Sequence, residues 1–267
     1  MTISTRDGLV DALGNSSTRV VINKASIANA VAGGFISLWR ATGLPAQGAA
    51  PTTAAVPTAA TTGAMIFANP AGAVRTYLAR LSLACSNAAV THEVHDRLAH
   101  MGGLSGTSVA AQTVGIDLTS HARVGAANFS ECQWWIEHYT DTGGTGVNAT
   151  CAVTYDDGST GNVVVALAAT TRASRMMPII PAVAGRFIKA IGTVTLSATT
   201  GTVGNFGVTA TRELTDLFTP VANQQIRANW ADLGLPRVFD DSCLFLVQMA
   251  ATTTTGVVSG NAQLAQG

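Results

Sequence analysis

The stretch Ala149-Thr150-Cys151-Ala152-Val153-Thr154-Tyr155, Asp156-Asp157-Gly158, Asn162-Val163-Val164-Val165-Ala166-Leu167 decides the fold class. Two runs rich in Val and Thr flank an Asp-Gly turn. Glycine accepts a positive φ without Cβ strain, so Asp-Gly between two such runs is a strong hairpin signal. Val and Thr are stiff at χ1 and suit the pleated sheet.

The same grammar extends in both directions. Tyr77-Leu78-Ala79-Arg80-Leu81-Ser82-Leu83 alternates apolar with small or polar residues, the period of a half-buried strand. Ser130 to Tyr139 reads as an aromatic-rich strand ending at the turn Asp141-Thr142-Gly143-Gly144. Ile188 to Leu196 and Gly204 to Thr211 read as two more strands. Cys243 to Gln248 and Gly256 to Leu264 read as a closing hairpin. Ser105 to Thr119 reads as loop plus one edge strand, and Leu214 to Leu235 as a short helix and a long loop before Pro236. Strands recurring at this spacing, with Gly/Asp/Asn/Thr turns between them, define an all-β chain of the β-sandwich or jelly-roll-like kind.

Upstream the signal changes. Residues 1–14 read as a short helix or an arm, with Thr5 placed to cap it and Gly14 to stop it. Arg19 to Asn23 and Phe35 to Arg40 are short apolar runs. Residues 45–64 are nearly pure Ala, Thr, Pro and Gly, with Pro45, Pro51 and Pro57 six apart and no charge between them. That composition builds no core of its own and disfavours helix. It suits a flexible tether or an extended arm laid over a neighbouring subunit. The expected organisation is therefore residues 1–64 as N-terminal arm and linker, and residues 65–267 as the β-sandwich/jelly-roll-like domain.

Composition narrows the function classes. The 267 residues are 47% hydrophobic but only 11% charged, with fifteen basic and fifteen acidic residues and a formal net charge of zero. Soluble domains average about a quarter charged, and net charge is what keeps molecules apart. Much of this surface is expected to face other subunits. No apolar run approaches the ~18 residues that span a bilayer, so no membrane partner is expected. Met1 to Gly14 carries Arg6, Asp7 and Asp11 and lacks the apolar region of a signal peptide; synthesis in a cytoplasm is expected. The balanced charge argues against direct nucleic-acid binding, which demands a Lys/Arg surplus. The one modest basic cluster is Arg172, Arg175, Arg186 and Lys189. Cys85, Cys132, Cys151 and Cys243 form no C-x-x-C pair and read as small buried thiols rather than a zinc site or disulfide framework.

The strongest catalytic candidate is Thr91-His92-Glu93-Val94-His95-Asp96-Arg97-Leu98-Ala99-His100, which holds three of the five histidines. It is not H-E-x-x-H, whose histidines are four apart. On a strand its side chains alternate faces, so it supplies no three-ligand metal site by itself; it reads as an inter-subunit polar patch or solvated face. Gly103-Leu104-Ser105-Gly106, with Asp117 and His121 nearby, misses the nucleophile-elbow spacing. Gly143-Gly144-Thr145-Gly146 lacks the Lys-Ser/Thr of a phosphate loop. Adjacent Trp134 and Trp135 face opposite sides of a strand, one in the core and the other on the outer face against a second sheet, a loop or a neighbour; a sugar-binding platform is the alternative. No catalytic, cofactor-binding or metal-ligating residue is assigned, and enzyme activity is not expected.

Several segments resemble structural virion proteins of tailed bacteriophages, of the head decoration, cement or minor capsid kind. They are Phe35 to Gly43, the Ala/Thr/Pro stretch after it, Tyr77 to Leu81, Asp96-Arg97-Leu98, Trp135 to Gly143, Val153-Thr154-Tyr155 and Thr195 to Val208. The resemblance covers about two-thirds of the chain in order. It implies an all-β protein on a phage particle, located in the virion capsid, that binds the major capsid protein and other copies of itself. A trimer would suit quasi-threefold positions on a shell. It implies no cofactor and no catalytic residue. A tail, fibre or spike component that binds a host receptor is the alternative.

Overall fold

A computed structural model describes residues 3–267. In chain order the elements are α1 (Arg6–Asn15), β1 (Ser17–Lys24), β2 (Phe35–Ser37), a 3-10 turn (Leu38–Arg40), β3 (Gly43–Leu44), β4 (Thr76–Cys85), β5 (Val90–Leu104), β6 (Gln112–Asp117), β7 (Cys132–Thr140), β8 (Val147–Tyr155), β9 (Thr160–Leu167), β10 (Arg175–Pro178), β11 (Ile188–Leu196), β12 (Asn205–Thr219), β13 (Ile226–Asn229), α2 (Trp230–Leu233), β14 (Arg237–Val238), β15 (Leu244–Met249) and β16 (Val258–Gln266). The chain is all-β and sandwich-like, as the Val/Thr periodicity requires. α1 starts where expected: the Thr5 side chain accepts from the Gly8 N–H at 3.1 Å, satisfying one orphan donor of the first turn.

The chain forms two compact units. The first gathers residues 3–49, Thr58–Asp96 and Leu214–Gly267; the second gathers Ala50–Pro57 and Arg97–Glu213. β5 and β12 are each divided between them, at Asp96/Arg97 and Glu213/Leu214.

In the first unit the strand order is β13-β4-β16-β1-β3, with β14 also on β4. A second layer pairs β15 with β2 and with the Thr91–Asp96 part of β5. Leu81, Leu83 and Leu264 of one layer share a buried cluster with Val94, Leu244 and Leu246 of the other, which makes the unit a sandwich. In the second unit the order is β6-β11-β8-β9, and β7 pairs with β10 and with the Asn205–Arg212 part of β12. Cys151, Val163 and Ile191 pack with Trp134, Ile136, Phe206 and Val208 in one buried cluster.

The β8–β9 hairpin is present as read. Val147 pairs Leu167 through to Thr154 with Thr160, and Gly158 sits at φ +88. β6 lies at a sheet edge. The closing hairpin does not form: β15 pairs with β2 and β5, whereas β16 pairs with β4 and β1. β15 is buried at almost every residue and takes both its in-sheet neighbours from segments remote in sequence, Phe35–Ser37 and Thr91–Asp96. Leu214 to Leu235 holds the end of β12, β13 and a one-turn α2 rather than a long loop.

The residues of the N-terminal division, 1–64, include α1, β1, β2 and β3, and β1 runs the length of β16. The Ala/Thr/Pro stretch makes ordered contacts with its own chain. In the first unit Trp39 Nε1 donates to the Ala49 carbonyl at 2.7 Å. In the second unit Ala55 bridges His100, and the Gly102 N–H donates to the Pro51 carbonyl at 2.6 Å. Small side chains permit this close approach: a Cβ at Gly48 would collide with the Trp39 ring. Among the described residues no cysteine is in a disulfide; Cys85, Cys151 and Cys243 are buried and Cys132 is half-buried.

Candidate functional site

The histidine-rich segment forms most of β5, and the structure corrects its expected exposure. His92, His95, Asp96, Arg97 and His100 are all buried. It is neither a solvated face nor an open patch, because partners remote in sequence satisfy its charges.

In the second unit Arg97 and Glu137 form a bidentate pair, at 2.6 and 3.0 Å. Both side chains are inaccessible to solvent. Thr209 Oγ1 donates to Glu137 Oε2 at 2.5 Å and Tyr139 OH donates to the same oxygen at 3.1 Å. Arg97 also reaches Thr209 Oγ1 and His100 Nδ1, each at 3.2 Å. His100 therefore accepts there and is neutral. Burial foremost, with Arg97 adding to it, pushes its pKa down to about 3. Burial above all, and then the Glu137 charge, pushes the Tyr139 phenol well above its ordinary value. Arg123 extends the network by donating to the carbonyls of Arg97, at 3.0 Å, and Pro57, at 2.8 Å.

This arrangement is a carboxylate saturated with donors and a guanidinium held flat against it. Charge-assisted bidentate pairs are strong and geometrically specific. Since no reacting atom can approach a fully buried pair, the chemistry available to it is structural: it ties β5, β7 and β12 together.

In the first unit the Asp96 carboxylate accepts from Ser242 Oγ at 2.7 Å and from the Cys243 N–H at 2.8 Å. His95 Nε2 lies 2.8 Å from Glu93 Oε2, and the His95 ring tilts against Phe245 at 6.0 Å. Burial lowers the pKa of His92 to about 4. Lys24, also buried, points Nζ at the carbonyls of Ala41, Pro45 and Ala46; burial lowers its pKa to about 8. Sequence reasoning passed over Lys24, because nothing in Ile22-Asn23-Lys24 marks which carbonyls will converge on it.

Other sequence candidates are kept apart. Ser105 Oγ meets Thr107 Oγ1 at 2.9 Å, His121 Nε2 meets the Leu98 carbonyl at 2.8 Å, and Asp117 accepts from Thr119. Each has its own local partner, so they form no relay. Trp134 and Trp135 face opposite sides of β7, yet both are buried, at 3% and 5% exposure. Trp134 Nε1 donates to the Ile188 carbonyl and Trp135 Nε1 to Thr211 Oγ1, so neither is a sugar platform. In the basic cluster Arg172 pairs with Asp141 at 2.6 Å and Arg186 with Asp157 at 2.7 Å.

No family model matches the chain, and no curated protein matches it in sequence. Among solved structures it is similar to one of infectious bursal disease virus, Gt strain, at 12% identity and a TM-score of 0.17, covering 94% of this chain and 80% of that one. It is also similar to the VP2 subviral particle of the same virus, at 10% identity and a TM-score of 0.18, with the same coverages. At such scores the likeness defines no shared fold. Among the described residues, no helix is long and apolar enough to cross a membrane.

Proposed function

We propose that the chain is a virion structural protein acting by contact rather than by turnover, and specifically a capsid decoration or cement protein of a tailed phage. It binds the major capsid protein and other copies of itself. The observation that carries this reading is the poverty of surface charge. Of a charge complement already reduced to 11%, Lys24, Asp96, Arg97, Arg123, Glu137 and Arg212 are buried. Apolar side chains meanwhile stand outside: Ile66 is 71% exposed and Ile180 67%, with Phe218 and Trp230 also outward. A surface this apolar and this weakly charged is suited to being covered. Repetition on a symmetric shell multiplies each weak contact.

The test is location. Labelled chain is mixed with phage heads stripped of their accessory proteins and sedimented. Saturable co-sedimentation, with label seen on the head lattice by electron microscopy, is the expected result. Label confined to tails or fibres would move the protein to the tail, fibre or spike class. No particle binding at all would remove the reading.

A further inference from the structure

The sheet edges of the two units are not treated alike. In the first unit the edge strands are short. β3 has two residues and runs into Pro45, and β13 has four and carries Arg227. In the second unit the β6 edge is broken by Gly115 at φ +62 and closed by the charge of Asp117. Its neighbour β11 shifts register between Ile191 and Thr193. Short length, charge, proline and bulges are the means by which sheets keep edges from pairing.

β9 has none of these. It is eight residues long and in unbroken register with β8, and among the described residues no strand pairs with its other side. From Ser159 to Thr171 there is no Asp, Glu, Lys, Arg or Pro. Val163 and Val165 point into the core, while Val164, 59% exposed, stands outside with Asn162 and Ala166. A free row of backbone donors and acceptors on a long, uncharged strand is a template for another strand.

We infer that β9 is a self-association edge: it pairs antiparallel with β9 of a second copy across a two-fold axis, joining two four-stranded sheets into one of eight. The occupant is a second copy because the strand complements itself. Antiparallel pairing centred on Val164 sets Val163 opposite Val165, Asn162 opposite Ala166 and Gly161 opposite Leu167. Core-facing residues then stay on the core side, as sheet period demands, and no charge meets another. Among the described residues, β9 is the one unguarded edge of these two sheets, so its matching surface on another copy is β9 itself, and such a contact closes as a pair. The inference deepens the assembly reading and rests on it only for the premise that the chain meets its own copies.

Sedimentation equilibrium of the full chain is the test, with Val164→Lys and Val164→Asp variants whose folds are checked by circular dichroism and thermal midpoint. Position 164 points outward, so either charge is tolerated by the monomer, whereas two like charges face each other in the pair. Each variant alone should self-associate at least about tenfold more weakly than the unchanged chain. An equimolar mixture of the two should recover association, now as mixed pairs. Amides of β9 should gain hydrogen-exchange protection with concentration in the unchanged chain alone. Unaltered association of both variants, or association lost with no recovery on mixing, overturns the inference. A chain that binds heads but stays monomeric at high concentration refutes the β9 pair and leaves the virion reading intact. One that pairs through β9 but binds no particle does the reverse.

Discussion

Glu137 shows how much one residue decides in the interior. Its carboxylate receives both arms of Arg97, Thr209 and Tyr139. Removing one partner of a buried pair leaves the other charge uncompensated, at a cost of about 3–5 kcal/mol. Glu137→Gln should therefore lower stability in urea by that order. A joint Arg97→Met and Glu137→Leu exchange should cost clearly less, since no lone charge remains. A joint variant as damaged as the single one would show that the network contributes more than mutual neutralisation. The histidines add a pH dependence. His92 and His138 have pKa values lowered from 6.5 to about 4, and His100 to about 3, each chiefly by burial. The folded state thus binds these protons less readily than the unfolded chain. The stability they confer is complete above about pH 6.5 and drains away as pH falls toward 4 and then 3, on the order of 3 kcal/mol apiece. Unfolding free energy measured between pH 7 and 4 should fall steeply. His92→Gln and His138→Gln should flatten the slope in that window; a profile unchanged by both would contradict their burial as neutral rings.

At the scale of elements, glycine sets how closely strands meet. A Cβ at Gly207 on β12 would collide with the Met101 carbonyl oxygen and the Gly102 Cα of β5. Both neighbours are backbone and cannot step aside, so Gly207→Ala should cost about 1–3 kcal/mol, as overpacked interiors do. Gly192→Ala on β11 meets nothing within 4 Å and is the matched control. Equal thermal midpoints for the two variants would refute the close approach. The same contrast explains what could be read beforehand. The β8–β9 hairpin was legible because period, turn and partner all lie within twenty-one residues, Val147 to Leu167. β15 and β16 were misread as each other's partners because their true neighbours are far off: Leu244 pairs with Asp96, and Val258 with Cys85. The burial of β5 was illegible for the same reason. Thr91 to His100 is polar by composition, and nothing inside it announces Glu137, forty positions onward, or Ser242. The Ala/Thr/Pro stretch read as a tether because small residues carry no hydrophobic signal; what they carry is permission for backbone to lie against Trp39 and β5.

For the molecule as a whole, the question is what force drives association. Charged residues are 11% of the chain, some of them are buried, and Arg172 and Arg186 pair with Asp141, Asp156 and Asp157, so the charge left on the surface to steer or hold a partner is sparse and balanced in sign. Salt screens exposed charges over roughly 8 Å at physiological ionic strength, so an interface built on ion pairs loosens as salt rises. One built on strand pairing and apolar contact does not. Raising sodium chloride from about 0.05 to 0.5 M should change the self-association constant less than about threefold. Sulfate at matched ionic strength should strengthen it, because excluded salts favour burial of apolar surface. Both are read from sedimentation equilibrium at fixed pH. Dissociation on adding chloride would place the driving force in the sparse charges, and the argument from charge poverty to covered surface would lose its footing.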